Sequence, residues 1–340
     1  MSQVRVFNWE GVPVGEFTAT VNRGWAVNAG GTAPVAITAE TASKEWLLPG
    51  CIALIEDDDG KLPAWAGVID LDWKCLPTPQ LTIYDIPFLL KYRFPDAAVT
   101  LNGTLFSIFN YLVQQANQWT DSLVRATDVS IGDNTNVSQT VELRSIWDQI
   151  VEISKKYGGE VTFQPSVDPA TNRLSVQMMV RQPVYQDPVG MLFDGERGNM
   201  VVTDATAGGV IANHVVGTSD ESTAASRRRC GPLRDDVSIK KYGLRQATVV
   251  FSGISNQTAL DTATAAYLAA NANPRLKLTI NVIDKEDIFY AIRIGNILRV
   301  HSSRVLLPGG IRGWEGLARI TGMSFDETKK TFNLTMEGAL

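Results

Sequence analysis

Histidine is the side chain that most often moves protons near neutral pH, and this chain has two, His214 and His301, among 340 residues. His214 lies in the strand-like run from Ile211 to Gly217, and His301 ends another run after Arg299 and Val300. Neither is accompanied by the Gly-x-Ser-x-Gly elbow of a serine hydrolase. Each reads as a strand residue facing solvent or a partner. The acidic run Glu56, Asp57, Asp58 and Asp59 could offer oxygen ligands to a hard cation, but it lacks the spaced carboxylates closed by a glutamate that a calcium loop needs. It reads as a solvated hairpin tip, with Asp59-Gly60 supplying the left-handed conformations of a tight turn. Asp70 and Asp72 share one strand face, because side chains alternate with period two. Paired carboxylates are what glycoside hydrolysis uses, yet no partner groups or sugar-stacking platform mark the site.

The remaining chemistry-bearing features are similarly spare. The glycine-rich stretch from Gly309 to Gly316 lies between strands, with no helix start to hold a phosphate, and reads as a hairpin loop. Cys51, Cys75 and Cys230 are odd in number and widely spaced, which points to neither a disulfide framework nor a thiolate metal site. No cofactor is expected. Arg227, Arg228 and Arg229 could contact phosphate or an acidic partner, or simply form a solvated loop. Trp9, Trp25, Trp46, Trp65 and Trp73 crowd the first quarter of a chain with eight tryptophans in all. Core packing accounts for most of them, and tryptophan is also a preferred interface anchor. Trp9, Trp25, Trp65, Asp57, Asp58, Asp59 and the three arginines are therefore the candidate partner-contact residues.

Composition sets the class. At 44% hydrophobic and 20% charged, the chain is an ordinary globular one. Its net charge of −5 argues against gripping nucleic acid, which calls for clustered Lys and Arg. The start of the sequence has no secretory signal, and no segment approaches the apolar length of a membrane helix, so neither export nor stable membrane binding is expected.

Short alternating or apolar runs punctuated by turns fill the first hundred residues: Gly15 to Val21, Pro34 to Thr38, Cys51 to Ile55, Ala64 to Ile69 and Leu81 to Asp85 read as strands of a small barrel or sandwich. The period then changes. Thr104 caps a predicted helix carrying Leu105, Ile108, Phe109, Leu112, Val113 and Ala116 on one face. A second helix is expected from about Val141 to Tyr157, stopped by Gly158-Gly159. Strand-like Glu160 to Phe163, a turn-rich stretch from Pro165 to Asn172, and a strand from Arg173 to Val180 follow. Strands return at Asn199 to Thr203 and Val210 to Gly217. Thr218 to Asp236 reads as a polar, mobile or partner-bound stretch. An Ala-rich helix from about Gln257 to Ala272 and four further strands complete the pattern. The fold class is α+β, mainly β: two similar β-barrel modules, an α+β insert and a further small helix-and-loop insert. The expected domains are 1–97, 98–190 and 191–340, the last with its insert at about 218–275.

In this order, the segments resemble the hub proteins of phage tail baseplates. The resemblance is carried by Trp25-Ala26-Val27-Asn28-Ala29-Gly30-Gly31, by Pro49-Gly50-Cys51-Ile52-Ala53-Leu54, by Trp65-Ala66-Gly67-Val68-Ile69 and by Leu81-Thr82-Ile83-Tyr84-Asp85. Later come Asn213-His214-Val215-Val216-Gly217, the Ala-rich helix before Pro274, and Ile294-Gly295-Asn296-Ile297-Leu298-Arg299-Val300, where Asn296 replaces the family's usual Asp. The resemblance implies a homotrimer whose two barrels per subunit make a ring of pseudo-sixfold symmetry. Such a ring would contact distal tail or tail tube protein above, tape-measure protein inside and fibres or a spike below. DNA would meet it only in transit, and the protein would reside in the virion tail tip after assembly in host cytoplasm. Some family members carry a fused lytic domain; none is expected here after Leu340. The rival readings are a hexameric tail-tube adaptor, a carbohydrate-active or cell-wall-degrading enzyme built on Asp70, Asp72 or the Asp57 to Asp59 cluster, and a sugar-binding module using the tryptophans.

Overall fold

The computed structural model describes residues 2–57, 62–74, 79–118, 123–128, 137–181, 192–208, 211–220, 227–254, 256–283, 292–307 and 311–339. The chain begins with β1 (Ser2–Phe7), β2 (Pro13–Ala19), β3 (Arg23–Ala26), β4 (Thr32–Ala36), the short α1 (Ala39–Ala42), β5 (Ile52–Glu56), β6 (Trp65–Lys74), β7 (Gln80–Asp85) and α2 (Pro87–Lys91). Six of these strands form one sheet in the order β2-β1-β5-β6-β7-β4. All of its pairings are antiparallel. Just past β2, Val21 bridges to Val35 of β4, so the two ends of the sheet curl round and meet. The apolar run of β5 is continuous because both faces are covered. Ala53 and Ile55 enter a core with Val4, Val6, Val35 and Leu81, while Ile52 and Leu54 point the other way into a helical layer.

That layer comes from the middle of the chain. It comprises β8 (Val99–Gly103), α3 (Leu105–Ala116), β9 (Val124–Asp128), β10 (Val137–Val141), α4 (Ile146–Tyr157), β11 (Glu160–Val167) and β12 (Leu174–Arg181). The predicted apolar face of α3 is buried in full, and the Thr104 hydroxyl caps it by accepting from the Ser107 N–H at 3.2 Å. Helix α4 ends at Gly158, whose φ of +75° is the left-handed stop expected of a glycine there. Its start differs from expectation: Val141 belongs to β10, paired with Val99, and Ser145 caps the helix instead. Pro165 and Ser166, expected in a turn, continue β11 against β12.

The last part holds β13 (Leu192–Asp194), β14 (Met200–Gly208), β15 (His214–Ser219), β16 (Arg229–Arg234), α5 (Asp236–Tyr242), β17 (Gln246–Phe251), α6 (Gln257–Asn271), β18 (Arg275–Ile283), β19 (Ile297–Leu307), β20 (Ile311–Asp326) and β21 (Thr331–Ala339). A second sheet runs β13-β19-β20-β21-β18-β14, and β3 from the start of the chain joins it by pairing with β20. Alternate residues Leu276, Leu278, Ile280, Leu334 and Met336 fill its core. A small sheet β16-β15-β17 is backed by α6, which buries Ala259, Leu260 and Ala263 in the same core as α3 and α4. The fold is thus α+β and mainly β, with two large curled sheets.

Two expectations change here. The stretch from Thr218 to Asp236 is not uniformly loop, because Arg229–Arg234 forms β16 against β15 and Asp236 opens α5. Edge strand β16 needs few apolar residues, and its one buried side chain is Cys230, packed toward α6. The strand expected from Val210 begins at His214.

Candidate functional site

Residues 21–31 make contacts with both large sheets and with the α+β layer. The Val21 N–H donates to the Glu327 carboxylate at 2.6 Å, and the Glu327 N–H donates to Asn22 Oδ1 at 3.0 Å. Arg23 is 2% exposed, donates to Ser2 Oγ at 2.7 Å, and has its guanidinium 5.9 Å from the ring centres of both Trp25 and Phe325. Burial pulls the Arg23 guanidinium below its ordinary pKa, opposed first by Glu327 and then by Asp57. The Gly24 carbonyl accepts from the indole N–H of Trp65 at 2.8 Å. Asn28, at a φ of +52°, accepts from the Val161 N–H at 2.8 Å and donates from its side-chain amide to the Gly159 carbonyl at 3.0 Å. One short segment therefore ties the first sheet, the second sheet and the α+β layer together.

Behind this seam a carboxylate is held between two arginines. Glu160, buried at the start of β11, receives both terminal nitrogens of Arg319, and its Oε2 lies 3.4 Å from Nε of Arg181. Arg181 in turn donates to the Ile294 carbonyl at 3.1 Å. Nearby, the Asp85 N–H donates to the Gly31 carbonyl at 3.0 Å and its carboxylate accepts from the Ile86 N–H at 2.8 Å. Burial pushes the Asp85 carboxyl up to about 7, since the hydrogen bonds that the carboxyl receives from the backbone of Ile86 and Gly31 only partly offset the loss of water. A cavity of about 380 Å³ lies at this junction, lined by Trp25, Trp65, Asp85, Phe163, Arg181 and Arg293 among others.

The residues singled out in the sequence are spread over this frame. Trp25 and Trp65 meet at the cavity, Trp65 with 2% of its surface exposed. Asp57 acts on Arg23, whereas Asp58 and Asp59 lie outside the described residues. Trp9 is 52% exposed at the tip of the β1–β2 hairpin, where Asn8 Oδ1 accepts from the Glu10 and Val12 N–H groups and the Gly11 carbonyl accepts from Leu174. Arg229 opens β16 of the separate small sheet, and Arg227 and Arg228 lead into it, the Arg228 N–H donating to Ser219 Oγ at 2.9 Å. Asp70 is half-buried on β6, and the side chain of Asp72 is outside the described set.

His301 contributes an association that sequence reading missed. Its Nδ1 lies 3.1 Å from Asp194, which also accepts from the Glu196 N–H and sits 3.4 Å from Arg197. The Glu196 N–H, then His301, holds the Asp194 carboxyl below the usual range. The parallel pairing of β13 with β19 places Asp194 opposite His301, a register that no local pattern announces. Among the described residues, no group of three or more His, Cys, Asp or Glu side chains converges as a metal site requires, and no helix is long and apolar enough to cross a membrane.

No known family's sequence pattern matches the chain, and no curated protein sequence matches it. Solved structures do. The chain is similar to the prophage tail protein gp18 of Listeria monocytogenes EGD-e at 13% identity, with a TM-score of 0.64 over 99% of this chain and 94% of that one. It is similar to a tail protein of Neisseria meningitidis MC58 at 14% identity and a TM-score of 0.60, over 99% and 96% of the two chains. A chain of the phage P2 baseplate in its activated conformation matches at 11% identity and a TM-score of 0.51, over 99% and 98%. The fold is that of phage tail and baseplate proteins, matched end to end.

Proposed function

We propose that this chain is a non-enzymatic structural subunit of a phage or phage-like tail tip, acting as the hub of a baseplate. The observation that carries the reading is the end-to-end likeness of fold to tail proteins. The two curled sheets would serve as the paired barrels of modules 1–97 and 191–340, with 98–190 as the insert between them. Three such subunits would close a ring of six similar barrels, passing from a sixfold tube to a threefold tip.

The seam around Arg23 and Asn28 suits this role, because a ring under load during genome passage needs its modules fixed relative to one another. Exposed apolar side chains at Trp9, Tyr92, Phe94 and Leu143 offer contact surface to further copies, to distal tail or tube protein and to fibres or a spike. A net charge of −5 would let DNA pass a central channel without adhering.

Light scattering at micromolar concentration, with electron micrographs of the same sample, tests the reading. A threefold ring with an open centre is expected. A hexamer would instead indicate a tube adaptor, and turnover of peptidoglycan or glycan lost on Asp70→Asn would overturn the structural role.

A further inference from the structure

The cavity at the three-way junction has the chemistry of a ligand site rather than of a packing fault. Its volume of about 380 Å³ is in the range of small-molecule pockets. Its walls come from three sheets, with flat aromatic surface supplied by Trp25 of β3, Trp65 of β6 and Phe163 of β11. Packing defects are apolar throughout, whereas this space also carries Asp85, Arg181 and Arg293.

Among the described residues, the charges around it do not cancel. Glu160 is shared by Arg181 and Arg319, so one carboxylate answers two guanidiniums. Arg293 adds another: its Nη1 donates to the adjacent Ile292 carbonyl, and among the described residues no carboxylate pairs with it. Asp85 lines the same space, and burial favours the neutral form of its carboxyl. Among the described residues, the site therefore combines aromatic walls with an excess of hydrogen-bond donors and positive charge.

We propose that this cavity binds an aromatic carboxylate, the ring lying between Trp25, Trp65 and Phe163 and the carboxylate at Arg293 beside Asp85. The ligand is either a free aromatic acid or a phenylalanine-like residue bearing a carboxylate on a peptide segment of a partner. The proposal goes beyond the assembly reading and stands whether or not the chain forms a ring.

The test is titration of the whole chain with 3-phenylpropionate, followed by calorimetry and by tryptophan fluorescence. Comparison ligands are 3-phenylpropionamide, 3-phenylpropylamine, and acetylated glycyl-glycyl-phenylalanine with a free carboxylate. Saturable binding of the acid is expected, with a Kd on the order of 1 mM for so small a ligand. The amide and amine should bind at least tenfold more weakly. Arg293→Glu, at an exposed position whose guanidinium donates to its neighbour's carbonyl, should weaken the acid by about tenfold or more. Ala64→Leu, which fills the cavity from its lining, should abolish binding while the far-ultraviolet spectrum stays unchanged. Tighter binding of the peptide assigns the site to a partner segment, and its exclusion assigns it to a free acid. Equal affinity for amine and acid, no effect of Arg293→Glu, or no binding at 10-fold the expected Kd overturns the proposal.

Discussion

Glu327, near the end of the chain, accepts a hydrogen bond from the main-chain N–H of Val21 at 2.6 Å, and it is also the carboxylate that most offsets the burial of Arg23. One acidic side chain thereby satisfies a buried donor and a buried cation that belong to the opposite end of the sequence.

Removing it should be costly. Glu327→Ala leaves the Val21 N–H without its acceptor and takes from Arg23 the larger of the two carboxylate attractions that offset its burial, for an expected loss of about 3 kcal/mol. Glu327→Gln keeps an acceptor oxygen and should lose roughly half as much. Urea denaturation of the two variants at pH 7 measures the difference.

Asp85 should make stability depend on pH. Its folded pKa of about 7 lies above the unfolded value, so the fold favours the neutral carboxyl. That contribution is complete below pH of about 4 and is lost as pH climbs through about 7. Among the described residues, the other charged groups that line the same cavity are Arg181 and Arg293. Asp85→Asn keeps the oxygen that accepts from Ile86 and cannot ionise. It should be more stable than the wild type at pH 8 by roughly 2 kcal/mol and flatten the profile between pH 5 and 8, as read from denaturant midpoints.

Gly67 is a steric requirement inside a strand. A Cβ there would lie 2.5 Å from the Tyr84 carbonyl oxygen on the neighbouring strand and 2.6 Å from the Trp65 ring. Gly67→Ala should destabilise by about 1 to 3 kcal/mol through overpacking, whereas Gly50→Ala meets no atom within 4 Å and tests backbone strain alone at its φ of +87°. Thermal melts of the pair separate the two causes.

Trp9 distinguishes folding from assembly. Its side chain is exposed on a turn fixed by Asn8, so Trp9→Ser should alter monomer stability by no more than about 0.5 kcal/mol. If the hairpin tip is an assembly contact, the same change should lower the oligomeric fraction at least tenfold in sedimentation velocity; an unchanged fraction would remove Trp9 from the interface.

How far the sequence could be read depended on whether a feature was local. Thr104 and the face from Leu105 to Ala116 were legible because cap and apolar period lie within a few turns of one another. The strands Ile52–Glu56 and Trp65–Lys74 were legible for the same reason, although the hairpin tip between them is outside the described residues. The small sheet was not, since β16 shows only Cys230 buried and looks like loop by composition. Nothing in Arg23 to Ala26 announces that β3 leaves its neighbours to pair with β20. Trp25 and Trp65 were noticed as a density of tryptophan, but their meeting at one cavity, and the Arg319–Glu160–Arg181 cluster behind it, depend on contacts between distant segments.

The pairing of Trp25 in β3 with Met323 in β20 also bears on how the protein is made. A ribosome releases β3 long before β20, so until β20 emerges β3 has an open edge and no mate. Such distant pairing slows folding and leaves unpaired edge exposed to other nascent chains. Translation must therefore pass β20 before the seam can close, and a product truncated ahead of β20 would keep that edge bare, ready to be recognised by a chaperone or a protease.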